Sequence, residues 1–255
     1  MKIILLKSLM LIVFIVMITM NVLANSLPLN NQTTGEISAK YPSLFTPAGI
    51  TFSIWGIIYL LLMIYVGTVL LIPTMQIDGT YKETVIILFI FSSIFNTLWL
   101  LCWHYDKIFL STIVMILLLI TLGAAFKIIP SSDAFTKTAF SVYFGWISIA
   151  TIANVTILLV SRNFTGFGIS EPIWLVAILL IGIIILSVVL YQTGDVVYGI
   201  VFIWAYFGIF LRHYTQQDLP QSYPLITLYI LILLLLSSGL TAYTYFVNNF
   251  HFFRD

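Results

Sequence analysis

The chain has 255 residues, of which 61% are hydrophobic and only 7% charged, with a formal net charge of +1. An ordinary soluble domain is about a quarter charged, so this chain cannot cover a water-facing surface and reads as an integral membrane protein partnered by the lipid bilayer. The near-zero net charge argues against nucleic acid as a partner, and the single cysteine, Cys102, excludes an intrachain disulfide.

Crossing a bilayer takes about 20 apolar residues. Such runs lie at 4–24, 48–72, 84–103, 108–129, 138–161, 172–191, 196–212 and 224–247. They are continuous rather than alternating, which argues against barrel strands. The predicted fold class is therefore all-α, a polytopic membrane helix bundle of about eight transmembrane helices, expected as a multi-pass protein of the cell membrane. The separators are short and carry breakers (Pro73, Pro130, Pro172, Gly194, and Pro220 with Pro224), so sequence neighbours are predicted to pack antiparallel. No Lys, Arg, Asp or Glu falls well inside an apolar run, where proton-coupled pumps usually keep one.

The first run, with Lys2, Lys7 and Val22-Leu23-Ala24 before Asn25, also fits a cleaved secretory signal, but its apolar part is long for one and favours a retained helix. The stretch 25–46 is the one long polar loop, a lid over a pocket mouth or a passive connection. With the N-terminus cytoplasmic, Lys2, Lys7, Lys82, Lys127, Lys137 and Arg254 fall inside, and Lys40, Lys107, Arg162 and Arg212 outside, a small bias for that orientation.

The second run opens on "FTPAG". Thr46 suits an N-cap and Pro47 the first helical position, so the helix is predicted to start at Pro47 and end before Pro73. Phe52, Trp55, Tyr59 and Met63 follow at spacings of three and four and share one face. In the third run Ser92, Asn96, Trp99 and Trp103 form a stripe; in the fifth, Tyr143, Trp146, Ala150 and Asn154 do. An Asn is costly in hydrocarbon without a partner, so Asn96 and Asn154 are expected to point into the bundle. Such stripes serve either as helix–helix contacts, with Asn bonds of roughly 0.6–2 kcal/mol each, or as walls of a pocket for a flat aromatic molecule.

Together the three stripes resemble the TspO/MBR family, the tryptophan-rich sensory proteins and mitochondrial translocator protein. The carrying residues are Phe45-Thr46-Pro47-Ala48-Gly49 with Phe52, Trp55 and Tyr59; Asn96 and Trp99; and Tyr143, Trp146, Ala150 and Asn154. Ala48 and Ile50 depart from the family's second Pro and following Trp. The resemblance covers roughly residues 1–165 and implies a five-helix transmembrane bundle there, leaving 166–255 as a three-helix transmembrane extension of unknown role. It implies a ligand pocket formed by Phe52, Trp55, Tyr59, Asn96, Trp99, Tyr143, Trp146, Ala150 and Asn154. The hydrophobic ligand implied is porphyrin-like, a porphyrin or haem, with no cofactor required. Candidate roles of the last three helices are an oligomer interface (a homodimer among them), a second ligand site or a docking surface.

The functional expectation is thus a membrane ligand-binding or sensory protein, with transport of a hydrophobic or amphipathic small solute as the alternative. Enzyme chemistry has little support: His104, His213 and His251 show no metal-ligand spacing, and no nucleophile or phosphate-loop motif occurs. No catalytic or metal residue is assigned. Light-driven porphyrin degradation remains open as a side activity. His104 with Tyr105, Asp106 and Lys107 reads as a solvated hairpin tip, and Asp195 as an interfacial turn residue.

Overall fold

The structure, a computed structural model, describes residues 2–26, 30, 32, 34–215 and 223–251. Arg254 and Pro220, used above, lie outside the described residues, as does the His251 side chain. The α-helices are α1 (Lys2–Ser26), α2 (Thr34–Lys40), α3 (Ile54–Leu71), α4 (Tyr81–His104), α5 (Ile108–Ile128), α6 (Ala134–Ser161), α7 (Glu171–Thr193), α8 (Val196–Thr215) and α9 (Pro224–His251). All but the short α2 belong to spans long and apolar enough to cross a membrane, and no strand occurs among the described residues. The eight spans differ from the predicted ones by at most four residues at either end. The chain is a multi-pass, all-helical membrane protein.

Five helices close a ring: α1 packs on α4, α4 on α5, α5 on α6, α6 on α3, and α3 back on α1. Outside it α8 lies against α6, and α9 packs on α8 and α7. Antiparallel packing of sequence neighbours holds for α4–α5, α5–α6 and α8–α9 but not for α3–α4, whose backbones barely meet. Large rings span the space between them instead, Tyr65 against Phe89 at 5.3 Å between centroids and Trp55 against Trp99 at 6.5 Å. That separation makes room for a cavity at one end of the ring.

Close approach elsewhere depends on small residues. A side chain at Gly145 would press on Val201, at Gly182 on Tyr206 and at Gly199 on Thr241, so these glycines seat α8 against α6, α7 and α9. Gly194, at φ 64°, ends α7 in the left-handed conformation that glycine adopts without strain.

Charged groups sit where helix ends need them. Lys7, 9% exposed, donates to the carbonyls of Leu70 and Ile72 at the C-terminus of α3. Lys137 donates to Phe126 O at 2.6 Å, at the C-terminus of α5. Both put a cation against orphan carbonyls at the negative end of a helix dipole. Asp195 is the turn residue expected: its carboxylate accepts from the Tyr198 amide at 2.9 Å, capping α8, and from Ser141 Oγ at 2.7 Å.

Three local expectations are corrected. The second span does not begin as a helix at Pro47: a 3-10 turn covers Gly49–Ser53 and the α-helix starts at Ile54. Ala48 is extended (φ −59°, ψ 147°) and its N–H donates to Gly208 O of α8 at 3.0 Å, while Thr46 O accepts from Arg212 at 2.9 Å. These tertiary bonds outcompete the N-cap. The polar stretch 25–46 contains α2, whose Ile37 is fully buried; α2 lies on α4 with Glu36 in its first turn and Lys40 in its last, complementing its dipole. The hairpin tip is exposed at Tyr105, Asp106 and Lys107, but His104 is fully buried, its Nδ1 2.9 Å from Leu100 O, and Asn30 Nδ2 donates to its carbonyl at 3.0 Å.

Candidate functional site

The site is built from two buried polar chains and one aromatic cluster. In the first chain, Asn21 of α1 donates through Nδ2 to Asn96 Oδ1 of α4 at 2.8 Å, and Asn96 Nδ2 donates to the Tyr143 hydroxyl of α6 at 3.0 Å. In the second, the Trp99 indole N–H donates to Asn154 Oδ1 at 2.9 Å, and Asn154 Nδ2 reaches Ser111 and Thr112 hydroxyls of α5, each at 3.1 Å. Asn96 is fully buried and Asn154 is 2% exposed. Both point into the bundle, because each amide has fixed partners there that lipid would not supply. The two chains join α1, α4, α5 and α6 at fixed register.

Trp55 is the centre of the aromatic cluster. It stacks on Tyr59 at 5.4 Å and on Trp99 at 6.5 Å, and meets Tyr143 and Trp146 edge-on, both at 6.2 Å. Phe52 closes on Trp146 edge-on at 6.0 Å. Offset and edge contacts of this kind contribute roughly 0.5–1.5 kcal/mol each beyond area burial. The stripe does not continue to Met63, which is 55% exposed; the most buried face of α3 is Ile54, Ile58, Leu62, Tyr65 and Val69, and the Trp55–Tyr59 stripe flanks it.

Beside this cluster lies a cavity of about 650 Å³. Phe52, Trp55 and Tyr59 line it from the second span, Trp99 from α4, and Trp146, Ala150 and Asn154 from α6. Asn96 and Tyr143 do not line it; they are fully buried behind the wall, where they bond each other. Residues beyond the predicted set also contribute: Asn21 from α1, Trp103 from α4, Phe45 to Gly49 in part, and Arg212 from α8. Asn21 carried no sequence signal, since α1 shows no aromatic stripe and its role depends on where Asn96 lies. Trp103 was legible as the end of the third-run stripe.

Arg212 is the one charged side chain among the described residues of the lining. The Trp146 indole N–H, in a side chain 2% exposed, meets no acceptor among the described residues. Of the usual axial ligands to haem iron, the described residues of the lining offer only a tyrosine, Tyr59, already stacked on Trp55. No three His, Cys, Asp or Glu side chains come together among the described residues. Next to the mouth, Tyr41 donates to Asp106 at 2.8 Å, and burial together with that bond pushes the phenol above its ordinary value, so it stays a donor at neutral pH. This bond and the Lys40–Asp106 ion pair at 3.7 Å tie the end of α2 to the α4–α5 turn.

Among known proteins, one family model matches, described as TSPO-like protein, over residues 7–242. No curated protein and no solved structure matches. The match begins in α1, runs past residue 165 and ends in α9, taking in the stripes that carried the resemblance together with the last three helices. On that match, the chain belongs to the TSPO-like protein family.

Proposed function

We propose that this is a ligand-binding or sensory protein of the membrane whose cavity takes a porphyrin or another flat, hydrophobic aromatic molecule. The observation that carries the reading is the wall around Trp55: the rings of Tyr59, Trp99 and Trp146 lie within 6.5 Å of its indole and line about 650 Å³ of space with it. Small-molecule sites have volumes of about 300–1,000 Å³ and combine apolar walls with a few placed polar groups. Here polar side chains of the lining include Asn21, Asn154 and Arg212.

The lining holds a ring system by stacking better than it ligates iron, which favours a metal-free porphyrin over haem. The test is a titration of the detergent-solubilised protein with protoporphyrin, following Trp fluorescence and pigment absorbance, beside a Trp146→Leu variant of unchanged thermal stability. Saturation near one per chain, lost in the variant, is the expected result. A folded protein without saturable binding would overturn the reading. Facilitated uptake of an amphipathic solute into proteoliposomes that survives loss of the Trp146 ring would assign transport instead.

A further inference from the structure

The wall between cavity and α8 is the segment 43–51, and among the described residues the hydrogen bonds that tie it to other elements run to α8. Trp204 donates its indole N–H to Thr51 O at 2.9 Å. Gly208 O accepts the Ala48 N–H at 3.0 Å. Arg212 Nη1 donates to Ser43 O at 2.7 Å and to Thr46 O at 2.9 Å. His213 Nε2 stands 2.9 Å from Leu44 O, and since a carbonyl only accepts, that nitrogen carries the proton. Spacings of four put Trp204, Gly208 and Arg212 on one face of α8, and His213 reaches the segment from the helix's last turn.

Gly208 is the seat. A Cβ there would overlap the Thr51 side chain, and Thr51 is 1% exposed. The held segment is itself cavity wall, contributing Ser43, Phe45, Thr46, Pro47 and Gly49. It has no regular backbone ladder before Gly49, so its position depends on these contacts.

We propose that α8 is a clasp: through Trp204, Gly208, Arg212 and His213 it holds residues 43–51 against the cavity, and thereby sets how fast the aromatic ligand enters and leaves. This rests on the ligand reading above and gives that part of the chain a positioning role at the site.

The test uses the full chain with protoporphyrin as the probe. Stopped-flow Trp quenching gives both rate constants, and hydrogen exchange of residues 43–51 gives a readout that needs no ligand. The variants are Trp204→Phe, which removes one hydrogen bond and keeps a ring, and Gly208→Ala, with Gly208→Ala/Thr51→Gly as its rescue. Neither Trp204 nor Gly208 lines the cavity.

One hydrogen bond is worth about 1 kcal/mol net, or about fivefold in rate. Trp204→Phe and Gly208→Ala are each expected to speed exchange in 43–51 and to raise association and dissociation about fivefold or more. Affinity should change less than twofold, and the double variant should return towards wild type. Faster hydrogen exchange with unchanged ligand rates overturns the proposal, as does unchanged exchange in both variants. A rise in dissociation alone also overturns it, because that marks a lost wall contact rather than a clasp. Absence of saturable binding in the wild type is seen before any variant is made; it defeats the ligand reading and this inference with it.

Discussion

Asn154 is the residue on which most of the site's polar geometry converges. Its carboxamide accepts from Trp99 and reaches both Ser111 and Thr112, joining three helices through one side chain. Asn154→Ala leaves a buried indole N–H without its acceptor, a loss of about 1–3 kcal/mol. A lower unfolding midpoint in detergent and weakened protoporphyrin binding are the expected outcomes; a variant as stable as wild type would show the bond to be replaceable. A second prediction at this scale concerns iron. Haem should bind no more tightly than protoporphyrin, and its absorbance should lack the change that accompanies a new axial ligand. A spectrum showing ligation would move the site's centre to Tyr59 or to a residue outside the described lining.

The same scale shows what the sequence could and could not reveal. Trp55, Tyr59, Trp99 and Trp146 were legible as stripes because helical periodicity alone puts them on one face each. Asn21 was not, since an isolated Asn near the end of an apolar run has the same local signature whether it faces lipid headgroups or a partner amide. His104 was misjudged for a related reason: its burial depends on a segment more than sixty residues earlier in the chain.

At the scale of elements, spans were read from apolar length, and that is a local property the bilayer imposes. Neighbour relations were less legible. The α3–α4 separation follows from α1 packing on α4 and from the bulk of Trp55, Tyr65, Phe89 and Trp99, none of which is a loop-length effect. The helix start at Pro47 failed because α8 takes the backbone groups that a cap would have used.

Two predictions belong to this level. Met10 and Met17 of α1 are fully buried, Lys7 caps α3 and Asn21 lines the cavity, so α1 is part of the wall. Intact-mass spectrometry of the membrane-extracted protein should therefore find α1 retained; a mature chain starting near Asn25 would contradict this. The second concerns the α8–α9 contact. A Cβ at Gly199 would come within 2.7 Å of Thr241 Cγ2, whereas Gly67 has nothing within 4 Å. Gly199→Ala should lower stability by about 1–3 kcal/mol through overpacking, and Gly67→Ala should not lower it. Equal midpoints for the two variants would show that α9 shifts freely on α8.

For the whole molecule, the five-helix ring and the last three helices meet chiefly through α8. The five-helix ring carries the Trp55 cluster, while α8 rests on α6 and on the turn at Gly49–Ser53 and brings Arg212 to the cavity. All the lining elements reach the cavity at the end of the bundle opposite the start of α1, which is why residues far apart in sequence form one wall. A ring of helices held open by aromatic side chains, with polar partners fixed behind them, is a frame for a flat ligand.

That claim is tested most directly by locating the ligand on the chain. Photo-crosslinking with a diazirine-bearing protoporphyrin, competed by excess unlabelled protoporphyrin and mapped by peptide mass spectrometry, reads the position without assuming it. Competable labelling on the peptides that carry Trp55 with Tyr59 and Trp146 with Asn154 is the result this account predicts. Labelling that is not competed, or that spreads over the outward faces of α7 and α9, would contradict it and return the aromatic stripes to helix packing.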